Sequence, residues 1–327
     1  TNMAYLFNQC NSIKSLNLSH FNTSNVTNMA AMFQQCFEFT TLNVSSFDTS
    51  KVTDMKNMFY ECKNILNLNL SSFNTANVVD MQYMFAGCKS LSNLDLTSFD
   101  TSNVTNMNAM FQDCNGIINL NVSSFNTSNV TNMSWMFGGL KSLKSLDLSN
   151  FNTSKVTSMS QLFYLDFALS ELDISSFDTS NVTDMQSMFR GVKVTTLDVS
   201  HFDTSNVKDM SMMFMSCIKL ESLKLGNFNT SNVTNMHEMF YQCGMLKDLD
   251  LTSFDTSNVT NMAGMFQRCT NLMDLNISSF DFSKVTNSSN MFFDVPTSSL
   301  IYVKDDASKE FILGVRNDLT NVQIKQA

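Results

Sequence analysis

Several residue types are scarce in this sequence. Its 327 residues include one proline, nine glycines, one tryptophan and three histidines. No apolar run approaches the roughly 18 residues of a membrane-spanning helix, so we expect no direct membrane insertion of this segment. Basic residues are the minority, with 20 Lys and Arg against 29 Asp and Glu. The net charge of −9 argues against nucleic acid and anionic membrane as partners, because both need basic patches.

The residues that are abundant point to a repeated motif. There are 29 Phe and 25 Met, and hydrophobic residues make up 43% of the chain. That share is enough for a sizeable core and argues against disorder. The nine letters FNTSNVTNM occur at residues 21–29, 125–133 and 228–236, with near-copies between them. Such bias and repetition are typical of a repeat architecture.

The repeat has an almost constant period. Its anchor phenylalanines are separated by 26 residues at every step except one of 25, from Phe177 to Phe202. They are Phe21, Phe47, Phe73, Phe99, Phe125, Phe151, Phe177, Phe202, Phe228, Phe254 and Phe280. A constant period in this range predicts a solenoid in which each repeat is one coil. We expect about 11 coils over residues 1–291.

Each coil carries two patterns of apolar residues. Segment 29–36 places them at i, i+3, i+4 and i+7, which predicts a short helix, and Asn28 before it suits an N-cap. Segment 42–44 alternates apolar and polar residues, which predicts a strand of a parallel sheet. Phe21 and Val26 of the linking stretch are expected to point inward. The Thr, Ser and Asn between them are expected to close the turn.

The C-terminal residues depart from the repeat. Residues 300–303 predict a strand, 307–315 a helix and 322–324 a last short strand. We interpret residues 292–327 as a C-terminal cap whose charged side chains cover the open core. The chain begins inside a repeat, so we expect the N-terminal end of the solenoid to be truncated here.

The repeat also resembles a known family. The string MFQQC-x5-LNV-SSFDTSKVTDM over residues 32–55 resembles the 26-residue repeat of BspA-like leucine-rich-repeat surface proteins of bacteria. We therefore expect an α/β fold, a right-handed leucine-rich-repeat-like solenoid with one short parallel strand and one short helix per coil. The resemblance implies an extracellular protein at the bacterial cell surface, anchored outside this fragment, that acts in adhesion. It supplies no catalytic residues.

The cysteines and histidines predict neither an active site nor a metal centre. Eight cysteines recur at the fourth position of the helix-like stripe, so we expect buried free thiols rather than disulfides. Cys-x-x-Cys spacing is absent, which argues against a metal site. His20 and His201 share a repeat position seven coils apart and cannot cooperate. We therefore expect no enzyme and no cofactor.

Two polar columns suggest further hypotheses. One threonine recurs in ten successive coils and could form a flat array that matches a lattice such as ice, although turn closure explains it as well. Its members are Thr23, Thr49, Thr75, Thr101, Thr127, Thr153, Thr179, Thr204, Thr230 and Thr256. A second column, at Asp48 and its equivalents, could chelate calcium, but Asn often replaces Asp there. Asx side chains that bond their own turn explain both choices.

The outward-facing column of the strand predicts the candidate binding surface. It contains three aspartates in consecutive coils, Asp147, Asp173 and Asp198, with Glu171 beside them. Like charges about 5 Å apart repel, so this cluster is mildly costly to the fold. We predict that coils from about 130 to 200 bind a basic or sugar ligand, with Trp135 and Tyr83 as aromatic anchors. Repeat decay and a solvated acidic face are the alternative.

Three functional hypotheses remain. The first is a non-enzymatic adhesion module that binds a protein or glycan of the host or of a neighbouring cell. The second is a passive spacer that presents another domain. The third, remote from both, is ice binding through the threonine column.

Overall fold

The computed structural model describes residues 1–226 and 228–325. These residues form two compact units, Thr1–Phe177 and Asp178–Ala327. Each unit is a parallel β-solenoid, in which equivalent residues of successive coils lie beside each other. The predicted leucine-rich-repeat-like solenoid is therefore confirmed, whereas its right-handedness stays a prediction.

Short parallel strands line one side of the first unit. They are β1 (Thr41–Leu42), β2 (Asn67–Leu68), β3 (Asn93–Leu94), β4 (Ser145–Asp147) and β5 (Glu171–Asp173). Strands β1, β2 and β3 form one sheet, and β4 pairs with β5 in another. Strand β1 ends at Leu42, and Asn43 then turns the chain: its Oδ1 accepts hydrogen bonds from the N–H and the hydroxyl of Ser45, at 3.0 and 2.7 Å. The predicted strand at 42–44 therefore begins and ends earlier than expected.

The second unit continues the same pattern and ends in a helix and a final strand. Its strands are β6 (Thr196–Asp198), β7 (Ser222–Lys224), β8 (Asp248–Asp250), β9 (Asp274–Asn276), β10 (Leu300–Val303) and β11 (Val322–Ile324), and its helix is α1 (Asp306–Val315). Strands β6 and β7 pair, and the other four form a sheet in the order β11, β10, β9, β8.

The prediction of one helix per coil is wrong. In the described residues α1 is the only α-helix. Segment 29–36 and its equivalents form instead what we call the turn ladder, a run of overlapping tight turns. The N–H groups of residues 32, 34 and 36 donate to the carbonyls three positions earlier, at 3.2–3.3 Å. Because each of these turns joins residues three apart, their apolar spacing imitates that of a helix.

The remaining ladder bonds run from coil to coil. The N–H groups of Met29, Ala31, Phe33 and Gln35 donate to carbonyls of the following coil at 2.7–3.0 Å. Packed helices lie 8–10 Å apart, whereas strands of adjacent coils are only about 4.8 Å apart. The turn ladder bonds directly to the next coil and so keeps the spacing of about 4.8 Å between coils on its own side of the coil as well. Helices in every coil could not pack at that spacing.

The residue before each turn ladder bonds much as predicted for a cap. Asn28 Oδ1 accepts from the N–H of Ala30 at 2.8 Å, and Asp54 accepts from Lys56 at 3.0 Å. The predicted side-chain acceptor is therefore present. It begins a turn rather than a helix.

The cores of the two units consist of stacked phenylalanine rings. Phe33, Phe59, Phe85 and Phe111 are fully buried, and successive centroids lie 5.8–5.9 Å apart with nearly parallel planes. Phe189 and Phe214 of the second unit stack in the same way at 5.8 Å. The residues predicted to face the core do so, although they lie on the turn ladder and not on the predicted helix.

Two positions in each turn ladder need a left-handed backbone. In the coil of residues 29–36 these are Ala31, with φ 54°, and Gln35, with φ 58°. Glycine occupies the equivalent of Gln35 at Gly87, Gly139 and Gly191, with φ between 75° and 84°. A side chain with a Cβ costs about 1–2 kcal/mol in this region, and glycine avoids that cost.

This conformation predicts that substitution by glycine affects stability differently at two adjacent glutamines. We expect Gln35→Gly to be more stable than Gln34→Gly by about 1–2 kcal/mol in the free energy of unfolding, since only Gln35 has a positive φ. Urea denaturation of the two variants measures the difference. Equal destabilisation by both would contradict the left-handed assignment.

The C-terminal residues close the second unit with α1. The Phe311 ring stacks on Phe282 at 4.4 Å, and Ile312 is fully buried. Arg316 Nη1 donates to the carbonyls of Phe292 and Val295. The division into a repeat region at 1–291 and a cap at 292–327 stays a prediction. Within the described residues, no helix has the length and apolar character that a membrane crossing requires.

Candidate interaction surface

The first unit brings three of the predicted acidic residues together. Asp147 and Asp173 are register partners in the pair β4–β5, and Glu171 of β5 lies opposite Ser145 of β4. All three carboxylates are exposed. None of them forms an ion pair with a described residue. We call Asp147, Glu171 and Asp173 the acidic patch.

Both aspartates of the acidic patch have a structural role. Asp147 Oδ1 accepts from the N–H of Ser149, and Asp173 Oδ1 from the N–H of Ser175, each at 2.9 Å. The hydroxyl and N–H of Ser149 hold the pKa of Asp147 below its usual value. The N–H and hydroxyl of Ser175 lower the pKa of Asp173, against a small opposing effect of Asp147. Two negative charges therefore persist side by side at neutral pH.

Asp198 belongs to the second unit and is compensated there. Its Oδ2 lies 3.1 Å from Nζ of Lys224, its register partner in the pair β6–β7. Hydrogen bonds from the Ser200 hydroxyl and N–H, with Lys224, lower the pKa of Asp198 to about 2. The sequence prediction grouped Asp198 with Asp147 and Asp173. Of these three aspartates, Asp198 is the one that forms an ion pair with a described cation.

The predicted aromatic anchors lie on the turn ladder rather than on the strands. The ring of Trp135 is 4.7 Å from that of Tyr164, and Tyr83 meets Tyr60 edge-on at 5.8 Å. Trp135 and Tyr83 are both half-buried and occupy equivalent left-handed positions, with φ 61° and 54°. Each anchor therefore belongs to an aromatic pair, in a different segment of the coil from the acidic patch.

The threonine column is enclosed and cannot meet a lattice. Its members are all 2% exposed or less. The Thr101 hydroxyl donates to the Asn126 carbonyl at 2.9 Å and accepts from the Asn126 N–H at 2.8 Å. Each such threonine completes the backbone hydrogen bonds of the next coil. The proposal of ice binding through this column is therefore wrong.

The aspartates beside the anchor phenylalanines close turns. Asp48 Oδ1 accepts from the N–H of Ser50 at 3.0 Å, and Asp100 Oδ1 accepts from Ser102 at 2.9 Å. Within residues 1–226 and 228–325, no three His, Cys, Asp or Glu side chains are grouped so as to hold a metal ion. Turn formation accounts for the presence of Asp or Asn at this position.

The eight cysteines are free, and seven of them are buried. Each buried thiol donates to the carbonyl of a phenylalanine in the preceding coil at 3.0–3.2 Å, and we call this set the thiol ladder. The pairs are Cys36–Phe7, Cys62–Phe33, Cys88–Phe59, Cys114–Phe85, Cys217–Phe189, Cys243–Phe214 and Cys269–Phe240. The prediction of buried free thiols is confirmed.

Sequence reasoning missed a paired exception in the strand column. Lys224 is the one member of this column that cannot accept a hydrogen bond, and Gly226, with φ 55°, replaces the serine or threonine found two positions later in the other coils. The two changes belong together, because a turn without its acceptor side chain needs a residue that tolerates positive φ. The pairing could have been found by aligning the coils.

Similar solved structures include bacterial leucine-rich repeat proteins. A leucine-rich repeat protein from Bacteroides ovatus ATCC 8483 is 14% identical over 92% of this chain and 88% of its own, with a TM-score of 0.33. A leucine rich cell surface protein from Faecalibacterium prausnitzii A2-165 is 15% identical, with coverages of 85% and 78% and a TM-score of 0.36. For a leucine-rich repeat protein from Eubacterium ventriosum ATCC 27560 the values are 13%, 83%, 81% and 0.35. Among curated proteins, none matches this chain significantly.

The repeats themselves match a family model. The 26-residue coil with its short parallel strand fits a BspA-type leucine-rich-repeat solenoid, which confirms the resemblance seen in the sequence. Four overlapping segments, 1–118, 80–196, 116–224 and 192–300, match one family. Because these matches run through all the repeats, the chain belongs to the family described as "Mycoplasma protein of unknown function, DUF285".

Proposed function

We propose that this protein is a non-enzymatic interaction scaffold of the bacterial cell surface, which adheres to a protein or glycan of the host or of a neighbouring cell. The observation that carries the proposal is the acidic patch. Asp147 and Asp173 stay ionised in adjacent strands with Glu171 beside them, and no described cation neutralises them.

The fold does not require these charges. The same column holds Asn43, Asn69 and Asn121, and each asparagine makes the same turn through Oδ1. Asparagine would avoid the repulsion between like charges in adjacent strands. Two aspartates in succession therefore favour a role in binding a cationic group, because the turn alone does not explain them.

A basic ligand suits this surface for two reasons. A lysine or arginine near both carboxylates gains attraction from each and relieves the repulsion between them. Lys224 already neutralises a single carboxylate of this column, that of Asp198, at 3.1 Å. The acidic patch has no such cation in the described part of the chain, so an incoming ligand supplies it.

The aromatic pairs offer a second and separate contact. Trp135 with Tyr164, and Tyr83 with Tyr60, present half-exposed rings on the turn ladder. Aromatic rings of this kind are enriched at binding hot spots. We propose that Trp135 and Tyr83 contact an apolar or sugar face of the partner, independently of the acidic patch.

The passive spacer is the competing function. The uniform turns and the stacked core favour it, since both serve the coil alone. A spacer predicts that no exposed side chain of the repeats changes attachment. The interaction scaffold predicts that the acidic patch does.

We expect Asp147→Asn with Asp173→Asn to weaken binding to a lysine-rich peptide by about 2- to 30-fold, since each exposed ion pair is worth about 0.2–1 kcal/mol. Asparagine keeps the turn, so the fold is not disturbed, whereas a charge reversal would break it. Titration of wild type and variant at low and high salt measures the effect, which salt should reduce.

The matched control is Asp95→Asn in the same column. Asp95 Oδ1 accepts from the N–H and hydroxyl of Thr97 at 3.0 and 2.7 Å, but its neighbours in the column are Asn69 and Asn121. We expect little change in binding. Equal affinities for wild type and both variants, on the peptide and on a glycan array, would reject the acidic patch and favour the spacer.

A further inference from the structure

One carboxyl group lies inside the thiol ladder. In the coils of the first unit the ladder position is occupied by Cys36, Cys62, Cys88 and Cys114, then by Leu140 and Asp166. Asp166 is 1% exposed. A buried carboxyl group in a column of thiols and one leucine needs a physical explanation, since an unpaired carboxylate is expensive to bury.

The thiols show what this position requires. The Cys114 thiol donates to the Phe85 carbonyl at 3.0 Å. Burial raises the pKa of Cys114, and the backbone N–H of Cys88 in the preceding coil opposes that rise. The side chain at this position thus donates to the coil before it and faces one of its N–H groups, which suits a thiol because it is both a weak donor and a weak acceptor.

Asp166 reproduces the acceptor half of this arrangement. Its Oδ1 accepts from the N–H of Leu140 at 2.7 Å, and Leu140 is the equivalent residue of the preceding coil. Its Oδ2 is buried and has no hydrogen-bond partner in the described structure. The missing half is the donor.

A free acceptor lies where that donor would bond. Phe137 is 29 residues before Asp166, the same separation as between Cys114 and Phe85. In the preceding coils the phenylalanine carbonyl also accepts from the N–H three residues later, as in the bond from Cys114 to Phe111. Leu140 gives its N–H to Asp166 instead, so the Phe137 carbonyl accepts no hydrogen bond from a described residue.

We propose that Asp166 is a neutral carboxylic acid that replaces a ladder thiol, with Oδ2–H donating to the Phe137 carbonyl, and that its ionisation loosens the first unit. A carboxylate accepts only, so it would leave two oxygens without a donor between them. The group thereby makes the stability of this unit depend on pH. This inference is independent of the proposed binding function.

The electrostatic surroundings agree with the neutral form. Burial raises the pKa of Asp166 well above its usual value, the N–H groups of Leu140 and Gly139 oppose that rise, and the charge of Asp113 adds to it. Asp113 is the described side chain whose charge acts on Asp166, and that charge is negative. Among the residues that the structure describes, no cation lowers the pKa of Asp166.

The direction of the pH dependence follows from the raised pKa. The folded state holds the proton more tightly than the unfolded chain, whose aspartate has a pKa of about 3.9. The stabilisation is therefore complete below that value. It is lost progressively as pH rises from that value through the pKa of the folded state, so rising pH destabilises the unit over this interval.

The test uses Asp166→Asn in the full chain. Asparagine keeps the Oδ1 acceptor and supplies an N–H donor, but it does not titrate. We expect Tm of the wild type to fall by several degrees more than that of the variant between pH 6 and pH 9. We also expect the infrared difference spectrum, wild type minus variant, to show the carbonyl band of a protonated acid at pH 7.

Two further variants separate the outcomes. Asp166→Cys restores the ladder thiol and should also remove the wild-type loss of Tm between pH 6 and pH 9, which keeps the test available if the asparagine variant does not fold. Asp113→Asn makes the same substitution at a neighbouring, half-buried aspartate and should leave most of that loss in place. A carboxylate band alone at pH 7, or equal loss of Tm in wild type and both Asp166 variants, would overturn the proposal.

Discussion

Replacing Phe111 by alanine is expected to lower the free energy of unfolding by about 3–5 kcal/mol, because a fully buried phenylalanine is lost and a cavity remains. The ring is stacked between Phe85 at 5.9 Å and Phe137 at 6.0 Å. Its loss therefore affects both neighbouring coils. Urea denaturation followed by circular dichroism measures the change.

The matched control for Phe111 is Phe37→Ala in the same unit. Phe37 is half-buried, and Nζ of Lys63 lies 4.4 Å from the centroid of its ring. We expect a cost of about 1 kcal/mol, from partial burial and a surface cation–π contact. If the two substitutions cost the same, the stacked rings would not be the main source of stability.

Thr101→Val is expected to lower the free energy of unfolding by about 2–4 kcal/mol. Valine has nearly the shape of threonine, so the effect comes from the lost hydroxyl. Both backbone groups of Asn126 would then lose their partner in a part-buried site, so the cost of each lies in the lower part of the range of about 1–3 kcal/mol for buried groups. Thermal and urea denaturation measure it.

Thr105→Val, four residues further along the same coil, is the comparison. Thr105 is exposed, its hydroxyl lies 3.4 Å from the Val79 carbonyl, and valine already occupies the equivalent position at Val79. The expected change is within about 0.5 kcal/mol. A larger cost for Thr105→Val than for Thr101→Val would reverse the assignment of the two threonine columns.

Sequence reasoning succeeded where one residue type recurs at one place. The period, the buried face at Met29, Met32 and Phe33, and the acceptor role of Asn28 all follow from repetition and side-chain chemistry. The bounds of β10 and β11 follow from their apolar runs. These features depend on residues within a single coil.

It failed where the answer lies in the neighbouring coil. Ala31 and Gln35 do not reveal a positive φ, which is stabilised by N–H bonds to the next coil, so the turn ladder was mistaken for a helix. The burial of Thr101 depends on Asn126, one coil later. A pattern along one repeat cannot contain these contacts.

The candidate surface shows the same division. The run of aspartates was visible in the sequence, and Asp147 and Asp173 do lie together. The compensation of Asp198 by Lys224 was not foreseen, because the two were treated as successive members of one column. The role of Asp166 in the cysteine column was not foreseen either, since its hydrogen bond to Leu140 joins two coils.

The coil-to-coil bonds of the turn ladder give each unit a direction of assembly. Four N–H groups of one coil, at Met29, Ala31, Phe33 and Gln35, donate to the coil that follows in the sequence. During synthesis the N-terminal part emerges first, so these donors have no partner until the next coil has been made. Each new coil therefore completes the one before it and leaves its own donors open. At every stage of synthesis, the N–H donors of the last coil made remain without hydrogen-bond partners until the next coil is complete.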